Sequence, residues 1–183
     1  MSITPEPPAV RPQSAHPVQP VHAPLAYPPR SGAHTAPQPA MTLAERTFVN
    51  AAHRGNLLII RAAERAMTHQ LPGEVLEFAK KMIAEHQLMG RELTSLSARK
   101  GMVLMPLPVP PPAPIHGVPP PAAPGQVGDF LEGQVELHRE AVEAYQHAAA
   151  ELSGDGEVKT FATKHLVHLR VHFDEAERLV TVS

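Results

Sequence analysis

Residues 134–179 read QVELHREAVEAYQHAAAELSGDGEVKTFATKHLVHLRVHFDEAERL, and the spacing of their apolar residues decides the fold. Taken back to Leu131, the first half places Val135, His138, Val142, Tyr145, Ala149 and Leu152 at alternating steps of four and three, which is one face of an α-helix. Ser153-Gly154-Asp155-Gly156 interrupts that pattern as a tight turn, with Asp155 in the N-cap role. Val158, Phe161, His165, Leu169, His172, Ala176 and Leu179 then resume it. Two amphipathic helices joined by so short a turn lie antiparallel. His138 is about 16 residues before the turn and His172 about 17 after it, so at ~1.5 Å per residue both fall at nearly the same height.

The same pattern occurs upstream. Thr42-Leu43-Ala44-Glu45 has the form of a capping box and opens a helix running to about Gln70, with Phe48, Ala52, Ile59, Ala63 and Met67 on one face. Leu71-Pro72-Gly73 breaks it, and Pro72 suits the first turn of a second helix. That helix carries Val75, Phe78, Met82, His86, Met89, Leu93 and Leu96 on one side and ends at Arg99, Lys100 and Gly101. Asp129-Phe130-Leu131-Glu132 resembles another capping box and is expected to start the third helix. No segment alternates with the period of two that a half-buried strand requires, so no sheet is expected.

Prolines mark what lies outside the helices. Of the 22, eleven fall in residues 1–40 and ten in residues 101–127. Proline fixes φ and removes a backbone donor, so neither stretch is helix interior or central strand. Residues 1–40 carry few bulky apolar side chains and read as a disordered tail, since they cannot offset their ordering entropy by burial. Residues 41–183 read as one domain, with 101–127 as a proline-rich crossover long enough to run the length of a bundle. The expectation is an all-α, ferritin-like four-helix bundle: two antiparallel hairpins joined by a long crossover.

Composition excludes several functions. Net charge is −2, with acids and bases interspersed, and no basic block or cluster of stacking aromatics points to nucleic acid. Absence of cysteine removes disulfides, thiolate metal sites and a thiol nucleophile. No apolar run approaches the ~20 residues that cross a bilayer. The N-terminal residues lack a basic stretch followed by an apolar one, so no secretory signal is read and the expected compartment is the cytoplasm.

The stretches at 48–67, 74–101 and 134–179 together resemble the bacterial domain of unknown function 4142. The most specific pieces are Phe78-Ala79-x-x-Met82-x-x-x-His86, the helix bearing His138, and Leu169-Arg170-x-His172. The resemblance covers both helical pairs. It implies a ferritin-like bundle of no established activity, usually in the proteobacterial envelope, in contrast to the cytoplasmic reading. Members tend to carry an acidic residue in the first helix, where this chain has Gly55-Asn56-Leu57-Leu58-Ile59-Ile60. No carboxylate ligand is therefore expected from that helix.

Histidines on core stripes carry whatever chemistry the chain has. His168 and His172 are four apart and share a face, His138 should meet them across the turn, and His86 lies midway along the second helix. These four residues could bind Zn, Cu or Fe through imidazole nitrogen, and Met82 and Met89 beside His86 would suit Cu(I). Ferritin-type iron oxidation is excluded, because no Glu has a His three residues later. The leading reading is a non-enzymatic bundle module, acting through protein contacts, self-association or stress protection. Its histidines then form a neutral mid-core layer bonded to one another or to Glu85, Glu136 or Glu140. The alternative is a metal-binding bundle with a divalent or copper ion. His53, His69 and His147 stand alone and are expected on the surface.

Overall fold

The computed structural model describes residues 41–108, 117–123, 125–153 and 156–182. The expected tail at 1–40, the middle of the crossover and the Gly154-Asp155 turn, including the N-cap role of Asp155, lie outside these. Four helices account for the fold: α1 (Leu43–Ala66), α2 (Gly73–Arg99), α3 (Gln126–Glu151) and α4 (Gly156–Val182). Among the described residues there is no strand, and the one β-like contact is an isolated bridge between Gln70 and Pro121.

Most helix ends follow their local chemistry. The capping box before α1 is present, with the Glu45 amide donating to Thr42 Oγ1 at 3.2 Å and the Thr42 amide donating to Glu45 Oε2 at 2.7 Å. Gly101, at φ 66°, terminates α2, as the Met102 and Gly101 amides donate back to the Ser97 and Ala98 carbonyls. This left-handed closure is the one glycine makes without strain.

Two boundaries differ from the expected ones. α1 ends at Ala66 instead of about Gln70, because Thr68 and His69 turn tightly onto the Arg65 and Ala66 carbonyls. The Gln70 amide leaves the helix altogether and donates to Pro120 of the crossover at 2.6 Å. α3 starts at Gln126, three residues before the suspected capping box. Gly125, at φ 89°, forms its N-cap, and Asp129 lies in the first turn, where its charge suits the helix dipole.

α1 packs on α2 and α3, and α4 packs on α3 and α2. The bond from Gln70 to Pro120 places the described second part of the crossover at the end of the bundle where α1 stops and α3 begins, opposite the end where α2 stops. Every neighbouring pair is therefore antiparallel. The apolar core divides into two clusters. One gathers Phe48, Met89, Leu93, Tyr145 and Phe161; the other gathers Ile59, Phe78, Met82, Leu131 and Leu179. Between them lies a buried polar layer with one residue from each helix: Asn56, His86, His138 and His172.

Candidate metal centre

Stripe positions bring the layer together. On each helix the polar residue replaces one apolar step: Asn56 falls between Ala52 and Ile59, His86 between Met82 and Met89, His138 between Leu131 and Tyr145, and His172 between Leu169 and Ala176. His86 and His138 are fully buried and His172 is 1% exposed. The ring centroids form a near-equilateral triangle of 5.3, 5.3 and 5.5 Å, and one ligand nitrogen from each ring lies within 4.8 Å of the others. The expected pairing of His138 with His172 is realised, with His86 as its third member.

The outer nitrogen of each ring has an oxygen partner, and these partners fix the tautomers. Asn56 Nδ2 donates to the His86 carbonyl at 2.9 Å, which orients its amide, so Asn56 Oδ1 must accept from His86 Nδ1–H at 2.9 Å. His138 Nδ1–H donates to the Gln134 carbonyl at 2.8 Å. His172 Nε2–H donates to the Glu85 carboxylate at 2.7 Å. The inner nitrogens, His86 Nε2, His138 Nε2 and His172 Nδ1, therefore carry lone pairs. His86 Nε2 and His138 Nε2 face each other at 3.3 Å. Two lone pairs at that distance do not form a hydrogen bond. His172 Nδ1 is buried without any partner.

Burial keeps the rings neutral. It pushes His86 down to about 2, with further lowering from the other ring histidines, and His138 down to about 4 against the opposing Gln134 bond. His172 is also lowered by burial, although Glu85 works in the other direction. A proton between the rings is thus disfavoured, while a metal ion would be held by three neutral nitrogens. Outer-ring hydrogen bonds to oxygen are the arrangement that orients metal-ligating histidines.

Other expected residues lie elsewhere. His168 is exposed and outside the cluster. Three helical steps from His165 place it about 60° around α4, beyond the rim of the buried seam. His165 is buried beside Phe161 and bonds Glu92 Oε2 at 2.9 Å, so it is a second histidine–carboxylate pair seven residues from His172. Of the suspected carboxylate partners only Glu85 is used; Glu136 pairs with Arg139, and Glu140 is exposed. Met89 Sδ accepts from the Tyr145 hydroxyl at 3.5 Å, and Met82 is packed in the apolar core. His147 is exposed as expected, but His53 and His69 are half-buried.

Residues 30–114 and 128–179 match the family described as Domain of unknown function (DUF4142). The chain belongs to the DUF4142 family. The match is wider than the two helical pairs, taking in residues from 30 onward and the first part of the crossover. A DUF305 fragment from Deinococcus radiodurans is similar in structure, with TM-score 0.63 and 17% identity over 79% of this chain and 100% of that one. A conserved hypothetical protein, rv2844, from Mycobacterium tuberculosis is similar at TM-score 0.59 and 14% identity, over 76% and 92% of the two chains. At these identities the likeness shows the fold alone. No curated protein matches in sequence.

In this DUF4142 protein, Asn56 lies in the uncharged stretch of α1 from which no carboxylate ligand was expected. Its side chain orients a histidine and leaves the three inner nitrogens to α2, α3 and α4. Asn56 also explains Gly90 of α2. A Cβ there would meet Asn56 Nδ2 at 2.9 Å, and that atom is already bonded to the His86 carbonyl. Gly90→Ala is therefore expected to displace the amide and release His86. In an open helix the same change gains ~1 kcal/mol. For a metal ion held by the three inner nitrogens, affinity would then fall by roughly 10–100-fold, as when an outer partner of a ligand is lost. Unchanged affinity in a metal-competition titration would refute the positioning role of Asn56.

Proposed function

We propose that the bundle holds a first-row transition-metal ion at His86, His138 and His172, as a non-enzymatic metal-binding module. The observation that carries this reading is the convergence of three buried lone pairs with no hydrogen-bond donor between them. Bonds of ~2.0–2.1 Å from a tetrahedral zinc ion put two ligand nitrogens ~3.3 Å apart. His86 Nε2 and His138 Nε2 are separated by 3.3 Å. An all-imidazole set suits zinc, copper or iron, and the general affinity order favours copper and zinc among these. A bundle acting only through protein contacts, with the histidines as an inert layer, would call for donors between the rings, and the tautomers supply none. Glu85, the carboxylate in contact with the cluster, is engaged by His172, where it orients a ligand instead of standing free as a base.

The test is metal content in protein purified without chelator, followed by thermal melts with Zn(II), Cu(II), Fe(II) and Cu(I). Binding to the folded state alone raises the melting temperature with the logarithm of ion excess. No copurified metal and no shift with any of these ions would remove the proposal.

A further inference from the structure

The three inner nitrogens come from α2, α3 and α4, while both polar side-chain atoms of Asn56 on α1 are engaged by His86. A zinc-like ion on three imidazoles keeps a fourth position, and the side without a protein ligand is that of α1. There a cleft of about 330 Å³ opens between α1 and α3 and reaches His86 and Asn56. Its facing walls include small residues, Ala52 and Gly55 from α1 and Ala141 and Ala144 from α3, beside the larger Leu58 and Leu137. A Cβ added at Gly55 meets nothing within 4 Å, so space remains where two helices would ordinarily close.

Charge selects the occupant. Three imidazoles bring no negative charge; among the described residues Glu85 is the carboxylate hydrogen-bonded to them, reaching His172 from the outside, while the nearby Glu175 is neutralised by its ion pair with Lys81. A divalent ion therefore leaves one positive charge uncompensated in an apolar core, which is costly unless an anion joins it. At the cleft's exposed edge Arg54 and Glu140 oppose each other in sign. On its wall the buried Tyr145 hydroxyl donates only to Met89 sulfur at 3.5 Å, a weak acceptor that leaves the donor able to turn toward an anion.

The geometry points to the α1–α3 cleft as the entry path of a small monoanion that completes the coordination of a divalent ion at His86, His138 and His172. This rests on the metal reading above. The test loads the full chain with Co(II) and titrates azide while recording the visible cobalt bands. Azide is expected to shift the bands of the native protein. Gly55→Met, whose Cβ meets nothing within 4 Å and whose flexible side chain is long enough to fill the cleft from α1, should keep the azide-free bands and lose the azide shift. Ala144→Leu should do the same from α3. Native bands that ignore azide, or shifts equal in native and filled proteins, would overturn the cleft while leaving the metal site standing. No cobalt bands at all would overturn the metal reading, and this inference with it.

Discussion

His138→Leu is expected to raise the melting temperature of the metal-free protein and abolish its response to metal. The two effects have opposite signs for one reason. In the metal-free core, His138 Nε2 is a buried acceptor facing another acceptor, His86 Nε2, at 3.3 Å. Buried polar groups without partners cost ~1–3 kcal/mol, and leucine removes one while keeping the volume largely filled. The Gln134 carbonyl that His138 Nδ1 engages also lies in the turn that the helix backbone bonds, so the change orphans little there. With metal the balance reverses. An ion at 1,000 times its dissociation constant stabilises the native protein by ~4 kcal/mol. For a domain of this size that is a rise on the order of 10 °C, and it vanishes when one of three ligands is lost. Paired melts of native and variant protein, with chelator and with Zn(II), read both effects. A variant less stable than native without metal would refute the unpaired-acceptor account. A retained metal shift would refute His138 as a ligand.

Acid is expected to destabilise the metal-free bundle well above the carboxylate range. His86 and His138 are held neutral by burial, at about 2 and about 4, whereas the unfolded chain protonates them near the ordinary histidine value of 6.5. Below that value the unfolded state binds more protons, so stability falls as the pH falls. The contribution is fully present above ~6.5 and drains away from there toward the folded values, at ~1.4 kcal/mol per pH unit for each ring. By about pH 5 each ring has removed ~2 kcal/mol, or ~4 kcal/mol together, a large share of a typical domain's stability. Urea titrations with chelator near pH 7 and pH 5 measure the loss. An unchanged midpoint would contradict the buried neutral layer, and His86→Leu with His138→Leu should shrink the loss, leaving the part contributed by the other buried histidines, His172 and His165.

The stripes of α2 and α4 were legible residue by residue in the sequence, because a heptad-like run facing a core follows the helix period alone. α3 was less legible. Gln134 and Ala148 are buried, while Val135 and Val142 are only half-buried. Its apolar residues allow more than one rotation of the helix, and packing between α1 and α4 selects among them. The start of α3 was misplaced because its cap is a left-handed glycine, which has no side-chain signature to compare with a capping box. Four-residue spacing puts His168 on the face of His172 but does not show where the buried seam ends, which is why the sequence groups it with the ligands and the fold leaves it exposed. Composition alone marks Asn56 only as uncharged. Its place on the α1 stripe, between Ala52 and Ile59, was the available signal.

By itself the sequence determined four helices, their antiparallel pairing across short turns and the common height of His138 and His172. Each of these depends on contacts within a few residues or on counting from a turn. Tertiary structure alone decided which nitrogen of His86 and of His172 faces inward, whereas His138 is set by the Gln134 carbonyl in its own helical turn. That choice is made by acceptors brought by folding: Asn56 for His86 from 30 residues away, and Glu85 for His172 from 87. A ring's tautomer follows its hydrogen-bond partner and not its position on the stripe. Only after folding do three core histidines become three lone pairs directed at one point.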